Sequence, residues 1–211
     1  MEIQDFGSVE SKYFVLDFAA TLRNHITKGS TARTSGGHLK RLYLLRHAKS
    51  DWDNPSLSDI ERPLAQRGVA AAPRVAEVMQ SEGLLPELVI CSPARRTRET
   101  WDLIGSCLDS EPPSQIDERL YLASPGELIS VIQEQPDDLG SVMLIGHNPG
   151  MEAITMELSG SGEQPDLDRA LTKFPTGALA VIDLDVERWA DISGGSGALR
   201  RFVRPRDLST P

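Results

Sequence analysis

Three short apolar runs, each ending abruptly in polar residues, constrain this chain more than any other feature. Residues 42–45 (Leu-Tyr-Leu-Leu) stop at Arg46-His47. Residues 88–91 (Leu-Val-Ile-Cys), bounded by Pro86 and Pro93, lead into Ser92 and Arg95-Arg96. Residues 142–145 (Val-Met-Leu-Ile) end in Gly146-His147-Asn148. Runs this short between turn residues read as buried strands. Helical stretches lie between them at 64–82, 95–108, 125–135 and 150–158, the third with Ser124 as its natural N-cap. Pro73 falls inside the first, where a kink or restart is expected. Residues 178–184 and 200–203 read as later strands. This alternation predicts an α/β three-layer sandwich, with a mostly parallel central sheet and helices on both faces.

Ligands of such a sheet bind beyond the carboxyl ends of its strands. Two of the four histidines, His47 and His147, directly follow apolar strands, whereas His25 and His38 lie in the leading segment and read as solvated bystanders. Any one such residue is weak evidence. The convergence of two histidines with Arg46 and Arg96 at one sheet edge, with no acidic run nearby, describes an anion pocket with a nucleophile.

Composition narrows the field. A formal net charge of -9 argues against general nucleic-acid binding, which needs a basic footprint. It leaves room for a small anion at a locally positive site. Cys91 and Cys107 show no CxxC pairing and read as small buried hydrophobes in a reducing compartment. No apolar stretch approaches the roughly 18 residues that span a bilayer, and the acidic start lacks a secretory pattern. The expectation is a cytoplasmic protein with no membrane or nucleic-acid partner. Residues 1–39, with the Gly/Ser/Thr-rich stretch TKGSTARTSGGH, read as an extension and flexible linker, and 40–211 as the domain. The Asp166/Asp168 and Asp183/Asp185 pairs read as solvated turns, so no metal site and no cofactor are expected.

The motifs match a family. LYLLRHAKS resembles the Arg-His-Gly signature of the histidine phosphatase superfamily, which includes cofactor-dependent phosphoglycerate mutase, with Ala48 in place of the usual glycine. CSPARRTRET resembles the Ser-x-x-x-Arg-Ala-x-x-Thr segment, bringing Ser92, Arg96 and Thr100 into register, with Thr97 departing from the usual alanine. LIGHNPG resembles the segment carrying the second histidine. DIERPLAQRG, ERLYLASP and FVRPRDL resemble the SixA-like phosphohistidine phosphatase branch. The resemblance spans about residues 41–208 and implies a phosphoglycerate mutase-like fold without a metal.

It also implies roles. His47 attacks phosphorus through one ring nitrogen while a backbone carbonyl holds the other as a donor. Arg46 and Arg96 supply permanently charged forks for the outer phosphoryl oxygens, and His147 adds a donor. Ser92 and Asn148 are expected to contact substrate. Arg62 reads either as a further phosphate ligand or as a salt-bridge partner of Asp59 or Glu61, and Arg95 as a rim residue. Glu118 is the expected general acid, because the mutase branch carries its acid in a similar Glu-Arg-x-Tyr segment. The expected activity is hydrolysis of phosphohistidine in a protein or of a small phosphoester. A phosphomutase, which needs a pocket for a second anionic group, and a non-catalytic phosphate-binding module are the alternatives.

Overall fold

A computed structural model describes residues 40–208. The expected extension 1–39, with His25 and His38, lies outside the described residues. Seven strands form one sheet: β1 (Lys40–Arg46), β2 (Leu88–Cys91), β3 (Ser114–Ile116), β4 (Ser141–Gly146), β5 (Ser159–Gly162), β6 (Leu179–Leu184) and β7 (Gly197–Val203), in the order β3-β2-β4-β1-β6-β7-β5. Only β6 runs against the others, pairing antiparallel with β1 and β7. The helices are α1 (Gln66–Ser81), α2 (Arg95–Gly105), α3 (Pro125–Gln133), α4 (Gly150–Leu158) and α5 (Gln164–Thr172).

The central strands β1, β2, β4 and β6 are largely apolar because both faces of the sheet are covered there. Tyr43, Leu45, Val89, Cys91, Met143 and Ile145 form one core with Val75, Ala76 and Met79 of α1 and Trp101 and Ile104 of α2. The alternate residues Leu42, Leu44, Ile90, Val142 and Leu144 are equally buried and point to the other face. There α4 packs on β1 and β6 and contacts α3 and α5. The α/β three-layer architecture therefore follows from the period-two placement of side chains on strands buried from both sides.

Several details differ from expectation. Helix α1 runs unbroken through Pro73. Pro73 has no N–H to donate to the Val69 carbonyl, and Val69 lies on the exposed side of the helix. Strand β5 and helix α5 lie in the polar stretch SGSGEQPDLDRALT, which carries no apolar run. Neither Asp-x-Asp pair is a solvated turn. Asp183 is buried in β6 and paired with Arg41 and Arg200, and Asp166 is buried in α5, accepting from Phe202 N and Arg169. Cys91 is buried, whereas Cys107, in the turn after α2, is exposed.

The loop leaving β1 is pinned to the start of α1. Asp51 N donates to Pro63 O, Ala65 N donates to Lys49 O at 2.8 Å, and Ser50 bridges Leu64. Gly68 completes this contact: a Cβ there would lie 2.2 Å from the Lys49 carbonyl oxygen. Neither backbone can yield without moving the loop that holds His47. We expect Gly68→Ala to lower unfolding free energy by about 1–3 kcal/mol and to reduce activity. An unchanged urea midpoint would show that the contact is not tight.

Candidate active site

The carboxyl ends of β1, β2 and β4 meet at a pocket of about 250 Å³. Arg46, His47, Asp59, Arg62, Arg96, His147 and Asn148 line it, with Trp52 and Leu122 at its mouth. His47 and His147 each stand one residue beyond their strands, with ring centroids 5.2 Å apart.

His47 is held in one tautomer. Its Nδ1 lies 2.7 Å from the Ala48 carbonyl, which can only accept, so Nδ1 carries the proton and the Nε2 lone pair is free. Ala48 N is bound in turn by Thr100 Oγ1 at 3.0 Å, and that hydroxyl donates to Arg96 O. The methyl of Ala48, where glycine is usual, is buried in the core cluster. Thr97, the other departure, bonds the Ser92 and Ala94 carbonyls and so ties the β2–α2 turn together.

His147 is engaged on both nitrogens. Arg96 Nη2 lies 3.2 Å from Nδ1 and can only donate, which leaves the proton on Nε2, 2.8 Å from Ser92 Oγ. Burial lowers both imidazoles to about 3. The surrounding arginines add to this, and for His147 the neighbouring His47 does too, while the Ala48 bond opposes it at His47. Both rings are neutral at neutral pH.

The arginines are set differently. Arg46 donates through Nη1 to Phe174 O at 2.7 Å, while its buried Nε has no partner. Arg62 stacks over Trp52 and donates to Ser50, Asp51 O and Asp59. Arg62 lines the pocket and is paired there with Asp59. Arg96 binds Asp59 through the backbone carbonyl and the carboxylate, the latter at 2.9 Å. Asn148 donates to Glu152 and Phe174 O, leaving a buried Oδ1 unpartnered. Ser92 touches His147 and does not line the pocket. Arg95 pairs with Glu99 on the exposed face of α2.

Glu118 is not brought to this pocket. It is exposed on a single 3-10 turn, outside the lining. The carboxylate that is there is Asp59, which sequence reasoning treated only as a partner for Arg62. Asp59 accepts from Arg62 Nη1 at 2.7 Å, Arg96 Nη2 at 2.9 Å and Tyr121 Oη at 2.8 Å. Burial pushes its carboxyl up, but the Tyr121 and Arg96 bonds outweigh that and hold it below the usual range. Tyr121 also packs edge-on against His147 at 5.6 Å. The ERLYLASP segment thus contributes its tyrosine rather than its glutamate. The available signal for Asp59 was its place three residues before Arg62, a spacing that brings the two side chains together on one turn. Among the described residues no cluster of three or more His, Cys, Asp or Glu side chains forms a metal-binding group.

The depressed imidazoles have a consequence for stability. Between pH 6.5 and about 3 the unfolded chain binds protons at these histidines that the folded chain does not, so acid favours unfolding in that window. Stability from these two groups is complete above pH 6.5 and is lost as pH falls toward 3. NMR titration of the anion-free protein is expected to show His47 and His147 unprotonated down to pH 5, whereas an ordinary midpoint near 6.5 for either would contradict the site geometry.

The chain resembles known proteins in sequence and fold. Residues 42–128 match the model of the histidine phosphatase superfamily, branch 1. An uncharacterized protein of Mycobacterium leprae is 34% identical over 166 residues, covering 77% of this chain and 100% of that protein. Phosphohistidine phosphatase SixA of Escherichia coli is 26% identical over 170 residues, 80% of this chain and 96% of its own. A crystal structure of a candidate phosphohistidine phosphatase SixA from Agrobacterium tumefaciens superposes with a TM-score of 0.67 at 32% identity, covering 79% of this chain and 98% of that one. The signature motifs, the sheet and these relatives agree: the chain belongs to the histidine phosphatase superfamily, in the company of its SixA-like members.

Proposed function

We propose that this protein is a metal-independent phosphatase working through a covalent phosphohistidine on His47, acting on phosphohistidine in a protein or on a small phosphoester. The observation that carries this reading is the His47 ring, with Nδ1 committed to the Ala48 carbonyl and Nε2 free in a pocket lined by three arginines. That is a neutral nucleophile in a cationic cradle, the arrangement phosphoryl transfer needs. The catalytic unit is residues 40–211, and with both cysteines free the reading places it in the cytoplasm.

An arriving phosphoryl group takes the guanidinium bonds that Asp59 holds in its absence. Arg96 turns from Asp59 and His147 Nδ1 toward phosphoryl oxygens, and the dianion raises the pKa of both His147 and Asp59. His147 can then take up a proton from solvent at Nδ1 and hold it there as a hydrogen-bond donor to the phosphoryl oxygens, as expected of the second histidine. Asp59, its partners drawn away, takes up a proton from solvent and becomes a competent acid. His47 Nε2 bonds phosphorus, the phosphorus–oxygen or phosphorus–nitrogen bond of the substrate breaks, and Asp59 protonates the leaving group. Water then attacks phosphorus, Asp59 takes its proton back, and His47 departs neutral. In this role Asp59 replaces Glu118.

Two experiments test this reading. Rapid quench of the protein with a radiolabelled phosphodonor in EDTA is expected to leave acid-labile label on the His47 peptide, and none in His47→Ala. Sustained turnover by His47→Ala would overturn the covalent mechanism. Asp59→Asn is expected to cost about 10²–10⁴-fold in kcat on an alkyl phosphate. The loss should be much smaller on p-nitrophenyl phosphate, whose leaving group needs no proton, and inorganic phosphate should bind more tightly. An equal loss on both substrates would exclude Asp59 as the acid.

A further inference from the structure

A second cleft, of about 410 Å³, opens beside the phosphoryl pocket and shares Arg46, Lys49 and Thr176 with it. Arg46, Lys49, Arg67, Lys173 and Arg206 line it, and no acidic or aromatic residue does. The whole chain has 22 basic residues against 31 acidic ones, so five cations in one acid-free cleft run against its composition. Elsewhere the arginines are mostly paired with carboxylates, as Arg41, Arg119, Arg188 and Arg201 are. Lys49, Arg67 and Lys173 make no salt bridge with any described residue, and Arg206 has only a 3.7 Å contact to Asp207. Gathering like charges raises the free energy of the folded chain unless an anion offsets it.

We propose that this cleft is a second anion subsite, and that the enzyme selects small phosphoesters whose leaving group carries a further phosphate. The assignment rests on the phosphatase reading for the reaction, while the subsite itself is a matter of binding. Arg46 joins the two sites, with Nη1 fixed on Phe174 O and its buried Nε unpartnered. The two cavities together suit a small ligand with two anionic ends. The cleft walls offer Ala71, Pro175 and Pro205 and no ring on which a base could stack, so the linking scaffold is aliphatic. An acidic protein surface is the less favoured occupant, because a chain of net charge -9 repels it beyond the cleft itself.

Calorimetry on full-length His47→Ala, which cannot consume the ligand through His47, tests this with butyl phosphate and butane-1,4-diol bisphosphate. The bisphosphate is expected to bind about tenfold or more tightly, with a preference that shrinks as salt rises. Arg67→Gln/Lys173→Gln in the same background should abolish the preference and leave butyl phosphate affinity within about twofold, since both side chains are exposed and outside the phosphoryl pocket. Butyl phosphate binding without a bisphosphate preference overturns the subsite alone, as does a preference that survives the double substitution. Failure of both probes to bind overturns the phosphatase reading with it. Tighter binding of hexaglutamate than of the bisphosphate, lost in the same double variant, replaces the small-molecule assignment with an acidic polypeptide.

Discussion

The parallel pairing of β1 with β4 is the constraint on which the site depends. In that register Arg46 faces Gly146, so His47 and His147 leave neighbouring strands at the same level, and His47 N closes the ladder on Gly146 O. Strand β2 pairs on the other side of β4 with Cys91 opposite Ile145, which places the Ser92 hydroxyl within hydrogen-bond distance of His147 Nε2. Three segments far apart in the chain are brought together by two ladders. A slip of one residue would exchange the two faces of a strand buried on both sides. Unequal packing on the two faces, with the α1–α2 core on one side and α4 on the other, opposes such a slip.

The site is built from permanent cations and neutral rings, and the balance between them is held by one acid. Arginines near a sheet edge cannot lose their charge, so an anion-free pocket needs a counter-ion. Asp59 fills that place, anchored by Tyr121 as well as by Arg62 and Arg96. The imidazoles stay unprotonated chiefly because they are buried, and the same positive field reinforces this. Burial and this field together keep the nucleophile's lone pair available, and the field attracts the group it attacks.

Much of this was legible because strand ends and turn residues speak locally. The core strands fall where apolar runs of four or five residues stand between polar stops, and Ser124 forms the capping box with Glu127 that its position suggests. Arg46, His47, Arg96 and His147 meet as the convergence of strand ends requires. What escaped depends on tertiary context. Strand β5 is Ser-Gly-Ser-Gly and exists because β7 offers it a ladder. Asp59 and Tyr121 come from separate loops, and only the folded chain shows that they share a hydrogen bond. Glu118 sits in the segment that carries Tyr121, but on a turn whose side chain faces solvent.

The two borders of the sheet are its weakest strands. At one border β3 has three residues, all exposed, and at the other β5 has four, two of them glycine. Unsatisfied backbone along a long flat border would invite a foreign strand to continue the ladder. Here each border is too short, and one too poor in side chains, to template such growth, so the seven-stranded sheet is self-limiting.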